Sequence, residues 1–282
     1  MEDSAVLLIN CPDRKGLVAA VANLLYRCGA NITHADQHED HTEGLFFMRV
    51  EWSLAGFDLA AFQEQFRNTA AELNMQWRLE RMSQRPAVAL FVSQYLHCLA
   101  DILHRQQIGE LPCSIPLVIG NHLDGEALAR FYGAEFRYIP VKPESKKAAE
   151  EEQLRLLRAA GVKLVVLARY MQILSPEFVE RYRARIINVH HSFLPAFSGA
   201  RPYRAAFHRG VKLIGATSHY VTAGLDDGPI IEQDVVRISH RDQVEDLVKK
   251  GRDLERVVLS RAVMWHLEHR ILCYGNKTVI FD

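Results

Sequence analysis

The chain has 282 residues, 49% hydrophobic and 24% charged, with 34 basic against 34 acidic side chains, a length that suits two domains or one large one. Even charge gives no electrostatic reason to expect nucleic acid or a membrane surface as partner, and no apolar run approaches the roughly 20 residues that cross a bilayer. The start, Met1-Glu2-Asp3-Ser4, lacks the basic and apolar regions of a secretory signal, and the five cysteines (Cys11, Cys28, Cys98, Cys113, Cys273) include no Cys-x-x-Cys, so a reducing, cytoplasmic setting is expected.

Residues 5–11 read as a short apolar strand stopped by Pro12-Asp13. Residues 16–28 follow as a helix, with Leu17, Val18, Val21, Leu24 and Leu25 at helical spacing and Gly29 at its end. Residues 31–36 and 45–52 read as two strands of a hairpin, 57–73 as a second helix and 75–82 as a final strand. The order βαββαβ is the ferredoxin-like plan, compatible on its own with many functions. His34, Asp36 and His38 share one face of an alternating strand, with Asp40 and His41 beyond, and so raise the question of a metal. The stretch is placed at a hairpin turn with no fixed motif around it, and it reads as a solvated polar face. No metal site is expected.

Asp13-Arg14-Lys15-Gly16-Leu17, followed by Cys28-Gly29-Ala30-Asn31-Ile32, resembles the ACT regulatory domain. Gly16, near a helix N-terminus, exposes backbone N–H groups that suit a carboxylate. The resemblance implies an amino-acid effector site at Asp13, Gly16, Leu17 and Asn31; the alternative is an ACT-like domain used only for oligomerisation. ACT domains commonly pair their sheets side by side, which implies a homo-oligomer.

The polar stretch Ser83-Gln84-Arg85-Pro86 sets the boundary, giving domains of 1–84 and 85–282. Strands at 88–92, 115–119, 135–139, 164–167 and 186–189 alternate with helices at 96–106, 126–132, 146–160 and 176–181, which predicts a mostly parallel, doubly wound, Rossmann-like α/β sheet. A long helix at 244–270 and a strand at 277–281 complete the domain. Sites in such sheets lie at the carboxyl ends of strands.

One such end carries Asn188-Val189-His190-His191-Ser192-Phe193-Leu194-Pro195, where period 2 puts Asn188 and His190 on the same side. Pro195 ends the regular structure, with a Ser198-Gly199 loop behind it. Residues 213–221, containing Thr217, Ser218 and His219, read as a further strand leading to Asp226-Asp227-Gly228-Pro229. An Asn, a His and an Asp at strand ends are the parts of an acid–base site with an oxyanion stabiliser. Taken singly, each has a plainer reading as a turn cap, a buried hydrogen-bonding group or a turn.

Asn188, His190, Ser192, Leu194, Pro195, Gly199, His219 and Asp226, at these spacings, resemble the folate-dependent formyltransferase family. The resemblance implies Asn188, His190 and Asp226 as catalytic, with His191, Ser192, His219 and His97 as supporting residues. It also implies a folate-binding loop at Ala168-Arg169-Tyr170-Met171-Gln172-Ile173-Leu174-Ser175-Pro176. There Met171, Ile173 and Leu174 would form one wall of a pterin slot, and Val221, Thr222 and Leu225 the other. The alternative for the first three is plain core packing.

Family members that act on a ribonucleotide hold its phosphate on a two-glycine turn after the first strand. The matching stretch here, Ser93-Gln94-Tyr95-Leu96-His97-Cys98-Leu99, has neither glycine, and bulky side chains would block the close backbone approach. The resemblance to the branch that joins an ACT domain to this catalytic domain implies hydrolysis. That branch, in one-carbon metabolism and purine biosynthesis, splits 10-formyltetrahydrofolate to tetrahydrofolate and formate with no cofactor beyond the folate. In that reading Asp226 acts as base and orienter, while Asn188 and protonated His190 stabilise the oxyanion. The alternatives are transfer of the formyl group to another amine, for which His97 and Gly120-Asn121 would border the acceptor pocket, and a non-catalytic folate or amino-acid sensor.

Overall fold

The computed structural model of the protein describes residues 3–195 and 202–282. The chain divides into two compact units, the first comprising Met1–Gln84 with Glu268–Leu272 and Val279–Asp282, the second Arg85–Leu267 with Cys273–Thr278. The expected single cut near residue 84 therefore misses the C-terminal segments. The reason lies in the first unit's sheet, two of whose arginines hydrogen-bond the C-terminal backbone, as follows.

The first unit runs β1 (Ser4–Pro12), α1 (Leu17–Arg27), β2 (Ile32–Asp40), β3 (Leu45–Ser53), α2 (Leu59–Glu72) and β4 (Gln76–Arg81). Its sheet has the order β2-β3-β1-β4, all antiparallel, which is the ferredoxin-like arrangement. Alternation sends Leu7, Ile9, Met48, Val50 and Trp52 into a core with Leu17, Val21, Leu25, Phe62 and Phe66 of the helices. Asp58 starts α2 by accepting hydrogen bonds from the backbone N–H groups of Ala60 and Ala61, each at 3.0 Å. Leu8 and Arg49 are register partners, as are Leu8 and Arg78, so the three share the sheet's other face. There Arg49 donates to the carbonyls of His269 (3.2 Å) and Glu268 (3.3 Å), and Arg78 to that of Ile271 (3.1 Å). β2 also runs four residues beyond the expected end at Asp36. His34, Asp36 and His38 thus lie on the strand, and His41 alone of the three histidines falls in the turn.

The second unit contains β5 (Ala87–Val92), α3 (His97–Gln107), β6 (Ser114–Gly120), α4 (Glu126–Phe131), β7 (Glu135–Tyr138), α5 (Lys146–Ala159), β8 (Leu164–Leu167), α6 (Pro176–Arg181), β9 (Ile186–His190), α7 (Pro202–Arg209), β10 (Leu213–Tyr220), β11 (Ile230–Arg237) and α8 (Val244–Leu267). Its sheet order is β11-β10-β9-β8-β5-β6-β7, with β9-β8-β5-β6-β7 parallel and β10 and β11 antiparallel at one edge. Strand order reverses between β5 and β8, so their carboxyl ends open a crevice of the kind that receives ligands in doubly wound sheets. The two strands β12 (Ile271–Tyr274) and β13 (Lys277–Ile280) pair with each other at the end of the chain. The strand β11, the helix α7 and the strand β12 were not expected from the sequence. The Ser198-Gly199 loop lies outside the described residues. Among the described residues no helix is long and apolar enough to cross a membrane.

Candidate active site

Pairing of β9 with β10 builds the site. Asn188 lies opposite His219 and His190 opposite Thr217, so these four residues share one face of the sheet. Register against β11 shifts between Ser218 and His219, a bulge of the kind that re-aims a side chain. The chain then turns through 221–226 and delivers Asp226 at φ 53°, a left-handed conformation that Asp tolerates better than most residues. Gly228 makes that turn possible: a Cβ there would lie 1.6 Å from the Tyr220 carbonyl oxygen. The backbone N–H of Tyr220 closes the loop by donating to Pro229 O at 2.9 Å.

Asp226 Oδ2 stands 3.1 Å from His190 Nδ1. The hydrogen bond from His190 is the first cause holding the Asp226 carboxyl well below the usual carboxylate range. A carboxylate only accepts, so Nδ1 carries a proton and Nε2 of the neutral ring bears the lone pair. Nε2 is buried with no hydrogen-bond partner among the described residues. His219 Nδ1 lies 3.0 Å from the Tyr220 carbonyl, so it too is protonated. The neutral ring's Nε2 can then accept from Asn188 Nδ2 at 3.3 Å, which orients the amide and leaves its second N–H free. His219 Nε2 is 3.7 Å from Asp226 Oδ1, beyond hydrogen-bond reach. Thr217 Oγ1, donating to Ser192 O (2.9 Å) and accepting from Leu194 N–H (3.1 Å), fixes the turn after His190.

Asn188, His190 and Asp226 line a cavity of about 600 Å³ together with all six residues expected at the folate: Met171, Ile173, Leu174, Val221, Thr222 and Leu225. Leu174 is buried, so core packing accounts for it in part. Met171, Ile173 and Leu225 are 50%, 60% and 67% exposed, which core packing does not explain. The loop carrying Met171 and Ile173 is nevertheless firmly held. Ser93 Oγ accepts from Met171 N–H (2.9 Å) and donates to Asn121 Oδ1 (2.7 Å), and Glu150 Oε1 accepts from Ser175 N–H (2.9 Å). Gln153 Nε2 donates to the Tyr170 hydroxyl at 3.0 Å. An apolar slot with rigid walls suits a flat heterocycle.

His191 lines this cavity and a second one of about 770 Å³, whereas His97 lines only the second. There sequence reasoning missed a buried carboxylate. Glu255 of α8 is 1% exposed, yet Oε2 is 2.7 Å from His97 Nε2 and Oε1 accepts from the Tyr203 hydroxyl at 2.6 Å. Burial pushes the Glu255 carboxyl up, but the hydrogen bond from His97, the Arg169 charge and the Tyr203 hydroxyl outweigh it and hold it below its ordinary value. The available signal was an acid on the apolar stripe Leu247-Gly251-Glu255-Leu259 of α8. His97, Cys98 and Glu255 place possible ligand atoms within 4.8 Å of one another. A buried neutral thiol, raised well above its usual pKa, and the Arg169 guanidinium 3.3 Å from Glu255 oppose a cation there.

Burial, with Arg169 and His190 adding to it, pushes His191 down to about 4. The unfolded ring titrates near 6.5, so between about pH 6.5 and 4 the unfolded chain binds the extra proton and stability falls as pH falls. Complete titration would cost up to about 3 kcal/mol. The drop in melting temperature from pH 7 to 4.5 should therefore be clearly smaller for His191→Asn than for the wild type; an equal drop would mean that His191 is not held neutral.

In the first unit, Asp13, Gly16 and Leu17 border a pocket of about 600 Å³. Asn31 is not among its lining residues; Gln37, His38 and Glu39 of β2 take that place, because β2 extends to Asp40.

Comparison with known proteins agrees with both units. The formyl transferase family matches residues 87–263 and the ACT domain family residues 5–54. The chain is 53% identical over 280 residues, covering 99% of it and 98% of the relative, to a formyltetrahydrofolate deformylase of Synechocystis sp.. It superposes on a crystal structure of a formyltetrahydrofolate deformylase from Pseudomonas syringae pv. tomato with a TM-score of 0.97 at 48% identity, over 100% of this chain and 95% of that one. A glycinamide ribonucleotide transformylase from Symbiobacterium toebii matches at a TM-score of 0.66 and 32% identity, over 70% of this chain and 95% of that one.

Proposed function

This chain belongs to the formyltetrahydrofolate deformylase family, and from that membership we propose that it hydrolyses 10-formyltetrahydrofolate to tetrahydrofolate and formate. The observation that carries the assignment to these residues is the half-buried Asp226 paired with buried His190, whose Nε2 is unpartnered among the described residues, on the sheet face and in the cavity that also hold Asn188 and the slot for the pterin.

Asp226 stays ionised, and its depressed carboxyl makes it a weak base by itself. Its work is to hold His190 in the tautomer whose Nε2 can accept. His190 Nε2 takes a proton from water as the oxygen attacks the formyl carbon. The oxyanion that forms is bound by the free N–H of Asn188. Protonated His190, stabilised by Asp226, then donates to N10 of the folate as the C–N bond breaks, giving formate and tetrahydrofolate. The direct base role first expected of Asp226 passes in this scheme to the pair.

The ACT pocket suits a small amino-acid effector at Asp13, Gly16 and Leu17, and the edge strand β2 suits side-by-side pairing in a homo-oligomer. Five free cysteines, three of them buried with raised pKa values, fit the reducing cytoplasm.

Purified protein given 10-formyltetrahydrofolate and no acceptor should release formate and tetrahydrofolate in equal amounts. If tetrahydrofolate appears only when an amine is supplied, and the formyl group is recovered on that amine, the enzyme is a transferase.

A further inference from the structure

Arg169 sits where the two cavities of the second unit meet, lining both with His191 and Met171. It is 8% exposed and held at φ 63°, with its carbonyl accepting from Ser93 N–H and its own N–H donating to Leu167 O. Its Nε stands 3.3 Å from Glu255 Oε2, an ion-pair distance, yet this buried N–H has no hydrogen-bond partner among the described residues. Glu255 spends its oxygens on His97 and Tyr203 instead. Tyr203 is fixed for that task by Gly251, where a Cβ would lie 2.0 Å from its hydroxyl. The Tyr95 ring then carries two guanidinium groups, Arg169 at 5.6 Å and Arg252 at 5.3 Å from its centroid. Among its described lining residues this second cavity has four lysine or arginine side chains against two glutamates.

The first cavity lacks that excess of positive charge. Asp226 is its carboxylate, beside the point where the formyl carbon would lie, and Arg169 is the single lysine or arginine among its described lining residues. Hydrolysis converts a neutral formyl amide and water into an anion next to Asp226, while the pterin would occupy the apolar slot. Like-charge repulsion from Asp226 on one side and the excess of guanidinium and ammonium groups around the second cavity on the other give the product a direction.

We propose that the second cavity is an anion vestibule, in which Arg169 and Arg252 receive formate and pass it out past Tyr95. The inference rests on the hydrolase reading above and adds a subsite to it. A small carboxylate is the ligand, recognised by charge-assisted hydrogen bonds from guanidinium groups. Formate held there blocks the exit for the next product molecule, so added formate lowers kcat and leaves the KM for folate unchanged.

The test is formate inhibition of the full-length enzyme. Arg252→Gln at the exposed rim should raise the formate inhibition constant about tenfold, the loss of one charged partner. In parallel, the line broadening of ¹³C-formate on wild-type enzyme should persist when tetrahydrofolate saturates the folate slot, and weaken in Arg252→Gln. An inhibition constant within twofold of wild type, or loss of ¹³C-formate broadening on adding tetrahydrofolate, would overturn the vestibule. A failure of the hydrolase reading looks different, because wild-type enzyme would then release no formate at all.

Discussion

Asp226→Asn is expected to lower kcat by on the order of a thousandfold while leaving folate affinity within a fewfold. Asparagine matches aspartate in size and tolerates the left-handed φ of 53°, so the turn between β10 and Gly228 keeps its path. What disappears is the acceptor that holds the proton on His190 Nδ1 at 3.1 Å. An amide can present its NH₂ to Nδ1, move the imidazole proton to Nε2, and so leave no lone pair facing the formyl carbon. Steady-state kinetics together with direct folate binding separate the two effects. A kcat within tenfold of wild type would remove Asp226 from the machinery. The carboxyl is held below its ordinary value, so its contribution to stability is present above about pH 4, its unfolded titration range, and is lost as pH falls through the lower folded value. Across neutral pH its titration should leave no inflection in the rate.

The second large effect belongs to the oxyanion. Asn188→Ala removes the amide that His219 orients through its 3.3 Å contact, and should cost about 10²–10³ in kcat with little change in KM. His219→Gln acts through Asn188 and not on the reacting atoms, so its loss should be smaller, and it should nearly vanish when combined with Asn188→Ala. Equal and additive losses would give His219 a role of its own at the formyl carbon.

Local patterns made much of the chain legible. Continuous apolar runs such as Ala5-Val6-Leu7-Leu8-Ile9 and Val165-Val166-Leu167 identify strands buried on both faces, and β8 and α6 have the expected bounds. Asn188 and His190 share a face because the strand period is two, which sequence alone shows. Their neighbour His219 depends on antiparallel pairing between β9 and β10, and Asp226 on a return of the backbone against Tyr220, neither of which is local. The strand β11 escaped notice because Glu232, Gln233, Asp234 and Arg237 dilute its alternation at the sheet edge. Glu255 was hidden for the converse reason: a charged residue within a long helix reads as surface until His97, Tyr203 and Arg169 are brought to it from three other segments. The resemblance to the ACT domain implies Asn31 at the effector pocket, but that pocket is lined by Gln37, His38 and Glu39, further along β2.

Water as the acceptor at the Asn188–His190–Asp226 centre can be tested with labelled solvent. In a single turnover of 10-formyltetrahydrofolate in H₂¹⁸O, the formate released should carry one solvent oxygen, at a rate that collapses in Asp226→Asn. Formate without solvent oxygen, or a formyl group recovered on an amine present in the mixture, would contradict the hydrolytic account.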